Sequence, residues 1–330
     1  MTFESPKISV MICTYNQAHF IVRAINSVRA QSYNNYEVVI FDDCSNDDTQ
    51  EVVAKHLESI DDPRVLYFKN PHNLGILRNY HQALSHTSGE LVVNLDGDDF
   101  FVNPDFFRDA VSAFAIDEDI ILVFADYCEY SQASKNRVDI VNTRLSSLIS
   151  DRSFYQAFSR NQITWNHNAI IYKRNPAIEL GFYWHNSVPR NDWESFLRLI
   201  AGHKVAYLPS VVAAWVQHSN NETRRSDINK YMNNYALLRG LAAHASQFFD
   251  KEFVDQWHKQ MIWMKTKSSV AGYLINRDFR GLIAFLRAIL SVDKSLPLRV
   301  STNPGLLLRA LISINPKLYH LFKTAYRKLK

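Results

Sequence analysis

Asp96, Asp98 and Asp99 end the run Leu91-Val92-Val93-Asn94-Leu95-Asp96-Gly97-Asp98-Asp99, which begins just after Glu90. The residues before them are mostly apolar and read as a strand aimed into a core. Carboxylates this close raise one another's pKa unless a cation or hydrogen-bond donors compensate. Hard divalent cations favour such oxygen ligands, so the strand end fits a place where metal and phosphate meet. It also fits a polar turn, because Asp-Gly is a common turn pair.

The elements around the acids set their context. Ile8 to Cys13 is β-rich, and residues 17–31 carry Phe20, Ile21, Ala24, Ile25 and Val28 at helical spacing. Tyr36–Phe41 reads as a second strand and Asp47–Leu57 as a helix with Ser45 or Asn46 as its N-cap. Arg64–Phe68 reads as a strand, Ile76–Ser85 as a helix, Leu91–Leu95 as a strand, Pro104–Phe114 as a helix and Ile120–Phe124 as a strand. Strands alternating with helices predict a mostly parallel α/β sheet covered on both faces. Such sheets bind ligands at the carboxyl ends of their strands. Those ends read Thr14-Tyr15-Asn16, Asp42-Asp43, Asn70 to Asn73 and Asp96 to Asp99, a polar rim around one cleft. Further on, Lys135-Asn136-Arg137 reads as a loop or hairpin tip, Trp165–Tyr172 as a strand, Asp192–Ile200 as a helix, and Lys204–Leu208 and Val211–Val216 as strands. From Ile228 the pattern is helical.

Composition narrows the class. The chain has 330 residues, 47% hydrophobic and 21% charged, as in soluble globular proteins. Neither a signal peptide nor a spanning helix is predicted. Cys13, Cys44 and Cys128 lack metal spacing and read as buried thiols in a reducing compartment. Residues 251–330 hold 15 Lys and Arg against 4 Asp and Glu, net +11, whereas residues 1–250 carry a net −7. A basic appendage on an acidic body calls for an anionic partner, a membrane surface ahead of a nucleic acid.

Taken in order, these pieces resemble glycosyltransferase family 2, the nucleotide-sugar-dependent enzymes of GT-A fold. They are Ile8 to Asn16, Val38 to Thr49, Asn73-Leu74-Gly75 with Arg78-Asn79, the D-x-D-like Asp96-Gly97-Asp98-Asp99, Asn191 to Leu199 against the family's E-D block, and Trp215-Val216-Gln217-His218. The resemblance covers roughly residues 6–222. It implies a GT-A domain over 1–222, with a nucleotide-binding half at 1–125 and an acceptor and catalytic half at 126–222, followed by a helical region at 223–330. It also implies an inverting transferase that moves a hexose or N-acetylhexosamine from a UDP-sugar to a glycan or lipid-linked glycan, in bacterial surface polysaccharide synthesis.

By the same resemblance the nucleotide falls to Thr14, Tyr15, Asn16, Asp43, Asn73, Gly75, Arg78, Asp96 and Gly97. The Tyr15 ring would stack on uracil and Asp43 would accept its ring N–H. Asp98, Asp99 and His218 would hold the divalent cation, Mn2+ or Mg2+, that neutralises the departing diphosphate, with Asp96 a ribose or metal contact. Asp192, opening a helix, would be the base on the attacking hydroxyl. Asn191 replaces the family's usual Glu, and Gln217 stands where many relatives carry Arg. Trp165, Trp184 and Trp193 are candidates to line an acceptor sugar or to pack a core.

Leu318, Leu321, Phe322, Ala325 and Leu329 recur at helical spacing among basic residues, which fits either an interfacial helix on anionic lipid or a helix packed on the body. The expected location is cytoplasmic, including the inner face of the membrane. Two other classes compete. A nucleotidyltransferase would show a Gly-rich loop after the first strand, where Thr14-Tyr15-Asn16-Gln17 has no glycine. A non-catalytic anion-binding protein would not need Asp98 or Asp192.

Overall fold

The computed structural model describes residues 5–185, 188–189, 191–218 and 227–314. The chain forms two compact units, Met1–Phe154 with Ile163–Ser219, and Tyr155–Gln162 with Asn220–Lys330.

The first unit opens with β1 (Ile8–Thr14), α1 (Ile21–Arg29), β2 (Tyr36–Asp42), α2 (Thr49–Ile60), β3 (Val65–Lys69), α3 (Ile76–Ser85) and β4 (Leu91–Asp96). All seven residues of β1 and of β2 are buried, the pattern of strands covered on both faces. β1 pairs in parallel with β2 and β4, and β2 with β3. Ile21, Ala24, Ile25 and Val28 of α1 are buried among the sheet's Val and Ile side chains. The register sets Thr14 beside Asp42 and Cys13 beside Asp96. Three strands therefore stop level with one another, and their next residues form a single edge.

β5 (Phe100–Phe101), α4 (Phe106–Phe114), β6 (Ile120–Ser131), β7 (Arg137–Ile140), β8 (Leu148–Ser150) and α5 (Asp151–Ser159) follow. Then come β9 (Ile170–Lys173), α6 (Arg174–Glu179), the short hairpin β10 (Trp184–His185) with β11 (Val188–Pro189), α7 (Asp192–Ile200) and β12 (Lys204–Gln217). The sheet runs β3-β2-β1-β4-β9-β6-β12-β5. β9 is antiparallel to both β4 and β6, and β12 lies parallel to β6. The β3-β2-β1-β4 half is thus parallel and the rest of the sheet mixed. The tip at Lys135 is the β6–β7 turn, with Lys135 at φ 58°.

Three expected elements differ. β12 is one strand, not two: exposed Pro209 has no N–H to give the ladder, and the register shifts between Leu208 and Val211 absorb it as a bulge. α2 starts at Thr49 after Asp48, which makes no side-chain cap bond, because Ser45 is engaged by Asp42 Oδ1 through its N–H and hydroxyl at 2.8 and 2.6 Å. The strand expected over Trp165–Tyr172 begins only at Ile170, after a 3-10 turn at His167–Ala169 in which Asn168 donates its N–H to Asn166 Oδ1. Cys13 and Cys128 are buried and Cys44 is half-buried.

The second unit is helical: α8 (Ile228–Ala245), α9 (Lys251–Ile275), α10 (Phe279–Ala288), α11 (Leu296–Ser301) and α12 (Pro304–Ile314). Leu237, Leu238 and Leu241 of α8 and Trp257 and Met261 of α9 are buried, and Tyr235 shares a hydrogen bond with Thr266. No helix among the described residues is long and apolar enough to cross a membrane. The stripe expected at Leu318, Leu321, Phe322, Ala325 and Leu329 lies outside the described residues.

Candidate active site

The strand ends are stitched together by backbone bonds. Asp43 N–H donates to Thr14 O, Asn70 N–H to Asp42 O and Gly97 N–H to Cys13 O, each at 2.9 Å. Asn16, at φ 54°, donates its N–H to Ser45 Oγ and accepts Asn46 N–H on Oδ1. Tyr15 beside it keeps its ring 43% exposed at the rim.

Asp43 is buried and occupied. Its Oδ1 accepts from Asn70 Nδ2 and Leu74 N–H, and its Oδ2 from Gly75 N–H at 2.8 Å. Asn73 Oδ1 takes the same Gly75 N–H at 3.0 Å. Gly75 sits at φ +83°, where a side chain is strained. Asp43 therefore shapes the loop that launches α3. One turn along, Arg78 lays its guanidinium over the Trp184 ring at 4.3 Å. Trp165 packs against Phe154 and Phe196, on the core side rather than at the rim.

The acid trio points three ways. β4 stops at Asp96 and the chain turns, with Asp99 N–H bonded to Asp96 O. Asp96 and Asp98 therefore do not lie on one face of a continuing strand. Gly97 lets the turn close on β1, since a Cβ there would sit 2.5 Å from Gln17 Oε1 and 2.7 Å from Thr14 Oγ1. Asp96 accepts from Tyr80 OH and meets His167 Nε2 at 3.1 Å. Asp98 Oδ2 meets His218 Nε2 at 2.7 Å, and its carbonyl takes a bond from Arg23. Asp99 gives Oδ1 to Val216 N–H at 2.7 Å and Oδ2 to Asn168 Nδ2 at 3.0 Å, tying the turn to β12 and to the approach to β9.

Asp192 is the first residue of α7, not its cap. Asn191 caps, accepting Glu194 N–H at 3.2 Å, which gives a use to the residue that stands where the family usually has Glu. Asp192 Oδ1 accepts Trp193 N–H, and Oδ2 lies 3.6 Å from His167 Nδ1. The Asp192 side chain is 47% exposed, while that of His167 is 19% exposed. One imidazole thus spans the β4 turn and the start of α7. His167 was missed in the sequence because it falls inside an expected strand. The available signal was the polar trio Asn166-His167-Asn168 interrupting that strand's apolar run.

The electrostatics follow from this packing. Burial works against a charged His167, but Asp96 and Asp192 outweigh it and hold its pKa well above the ordinary value. Burial pushes Asp96 up, yet His167 and the Tyr80 hydroxyl keep it below the carboxylate range. Burial and then the neighbouring acids raise Asp98 and, more strongly, Asp99.

Two donor sets fit a hard divalent ion. Asp96, Asp99 and His167 present ligand atoms within 4.8 Å of one another. Both Asp99 oxygens already accept protein hydrogen bonds, however, and Asp99 is 1% exposed, so this trio also stands as a hydrogen-bonded network. Asp98, 8% exposed against 1% for Asp99, and His218 make a second pair 2.7 Å apart. One carboxylate and one imidazole, with substrate oxygens completing the shell, suit an ion that takes few protein ligands.

A parallel sheet whose level strand ends carry an acidic turn, with a helix-borne carboxylate one imidazole away, defines a GT-A type of sugar-transferase architecture. Residues 9–177 match the model of Glycosyl transferase family 2, about half of the chain, and the chain belongs to that family. It is 39% identical over 95 residues to a GalNAc(5)-diNAcBac-PP-undecaprenol beta-1,3-glucosyltransferase of Campylobacter jejuni, a match spanning 28% of this chain and 30% of the relative. It is 34% identical over 95 residues to the UDP-Glc:alpha-D-GlcNAc-diphosphoundecaprenol beta-1,3-glucosyltransferase WfaP of Escherichia coli, over 29% of this chain and 36% of the relative. The chain thus covers about a third of the length of these relatives. Among solved structures, S. aureus TarS 1-349 in complex with UDP-GlcNAc superposes with a TM-score of 0.70 at 17% identity, covering 98% of this chain and 92% of TarS 1-349. The mannosyltransferase PcManGT from Pyrobaculum calidifontis, in complex with GDP-Man and Mn2+, gives 0.57 at 17% identity, covering 97% and 87%. These likenesses establish the fold.

Proposed function

We propose that this chain is an inverting glycosyltransferase that moves a hexose or N-acetylhexosamine from a UDP-sugar to a hydroxyl of a glycan or lipid-linked glycan, in bacterial surface polysaccharide synthesis. The observation that carries the reading is the Asp96–His167–Asp192 line, which joins the acidic strand end to a half-exposed carboxylate on a different element. Relatives named for UDP-Glc and for undecaprenol-linked acceptors, and a fold neighbour holding UDP-GlcNAc, support the donor and acceptor classes. With such a donor the enzyme works in the cytoplasm or on the inner face of the membrane.

In this reading the exposed Tyr15 ring stacks on the base, and the loop held by Asp43, with Asn73 and Gly75, borders it. Thr14, Asn16, Asp96 and Gly97 line the floor beneath the ribose, and Arg78 reaches the diphosphate. Asp98 and His218 hold a divalent cation, Mn2+ or Mg2+, whose chemistry is to neutralise charge on the departing diphosphate. Asp99 fixes the turn that aims Asp98. Asp192 takes the proton from the attacking hydroxyl at its exposed oxygen. His167 holds that carboxylate at a set distance from the donor, the positioning that makes a single displacement feasible.

The test is a donor screen, UDP-sugars with GDP-mannose as comparison, with and without Mn2+, on the whole chain and on Asp192→Asn. The expected result is metal-stimulated release of UDP, and a variant that binds UDP as tightly while turnover falls about 10³-fold. Full turnover by Asp192→Asn removes that residue as the base. No release from any nucleotide sugar removes the transferase reading.

A further inference from the structure

We infer that the outer face of α10, continued through the turn at Ile289–Ser291, docks on an anionic phospholipid bilayer. The inference concerns the second unit alone and stands whether or not the transfer chemistry is as proposed.

α10 has two apolar faces. The inner one is used: Phe285 and Ile289 are 0% exposed, and the Phe285 ring packs against Tyr231 and Tyr273. The outer one is not. Phe279, Ile283 and Leu290 are 38%, 53% and 47% exposed, at spacings of four and seven that place them in one row along the helix. Arg280 and Arg287, seven apart, run along one side of that row, are exposed, and make no ion pair among the described residues. An apolar row held in water beside two cations gains from a partner that is greasy within and negative at its surface.

The local acids are engaged as caps and make no ion pair with Arg280 or Arg287 among the described residues. Asp278 accepts Gly281 N–H at 2.8 Å as the cap of α10, and Asp293 accepts Ser295 N–H at 2.7 Å. Other occupants fail on charge. A second copy related by a twofold axis would set Arg280 and Arg287 against their like. Residues 315–330 carry five Lys and Arg and no acid, so folding them onto this face would stack cation on cation. An anionic bilayer meets both demands: the apolar row enters the interface and the two guanidinium groups sit at the phosphates.

The test is cosedimentation of the full chain with vesicles of phosphatidylglycerol and phosphatidylcholine, beside vesicles of phosphatidylcholine alone. The chain should pellet with the anionic vesicles only, and less as salt screens the attraction. Ile283→Ser/Leu290→Ser and Arg280→Gln/Arg287→Gln should each lower the partition coefficient about tenfold. Melting curves and turnover of a soluble acceptor should stay unchanged, since these side chains face solvent. Equal pelleting with neutral vesicles overturns the inference, as does parent-like binding by both double variants. Binding that survives both and vanishes on deletion of 315–330 puts the contact in that segment. A vesicle-free dimer that the double variants dissolve makes the occupant a second copy. Each of those two results overturns it as well.

Discussion

His167 is the residue on which the site turns. It is a positioning residue, touching Asp96 with one ring nitrogen and approaching Asp192 with the other. Replacing it with Ala removes the imidazole beside Asp192 Oδ2 and, among the described residues, leaves the Asp96 carboxylate its Tyr80 bond. Turnover should fall about 10²-fold, with a far smaller change in UDP affinity. Steady-state kinetics beside UDP titration decide it, and a kcat within twofold of the parent would remove the role. The acids were legible in the sequence and His167 was not, for a physical reason. Carboxylates after an apolar strand violate burial and stand out, whereas a lone histidine in a strand pattern breaks no rule. What brings it to the site is the 3-10 turn, and that turn depends on an Asn166 side-chain bond no periodicity announces. The different duties of Asp98 and Asp99 were likewise hidden, because they depend on which donors from β12 and the β9 approach arrive beside them.

At the scale of elements, the level ends of β1, β2 and β4 make the rim, and the register follows directly from the apolar runs read in the sequence. The parallel half was therefore legible strand by strand. The mixed half was less so: β12 looked like two strands because Pro209 interrupts its pattern, and only pairing to β6 carries it across the bulge. The turn after β4 is held by close packing on β1, which Gly97→Ala tests. A methyl within 2.7 Å of Thr14 Oγ1 cannot be met by moving Gln17 alone. We expect a loss of about 1–3 kcal/mol in stability and at least tenfold in kcat/KM as the turn carrying Asp98 shifts. Unchanged melting and kinetics would show that the turn tolerates the displacement.

Across the whole molecule, the sheet of the first unit has a working end and an anchoring end. At the anchoring end Glu37 of β2 accepts from Lys7 Nζ, Ser9 Oγ, and Ser88 N–H and Oγ, at 2.6 to 2.8 Å. Burial alone would raise its pKa, but the Lys7, Ser9 and Ser88 bonds win and bring it from 4.5 to about 2. A depressed carboxyl stabilises the fold fully above its unfolded pKa, and that contribution is lost as pH falls through about 4.5 toward 2. Glu37→Gln should therefore melt lower by about 2–3 kcal/mol at neutral pH, converge with the parent near pH 2, and keep its kcat/KM at permissive temperature. A stability gap that does not narrow in acid would mean packing, not charge, is what Glu37 contributes. The second unit gave helices to sequence reading but not their contacts, since its side chains carry no motif.

The two oxygens of Asp99 grip the backbone of β12 and the side chain of Asn168, so three adjacent aspartates that look interchangeable in a one-letter string are bound to different fates. A combinatorial library that randomises positions 96, 98 and 99 together would sort into separate failures. Changes at 99 would be lost during expression as misfolded protein, and changes at 98 would survive purification as inert catalyst. Donor retuning should begin elsewhere, on the Arg78–Trp184 stack, where side chains can be exchanged without unpicking the sheet.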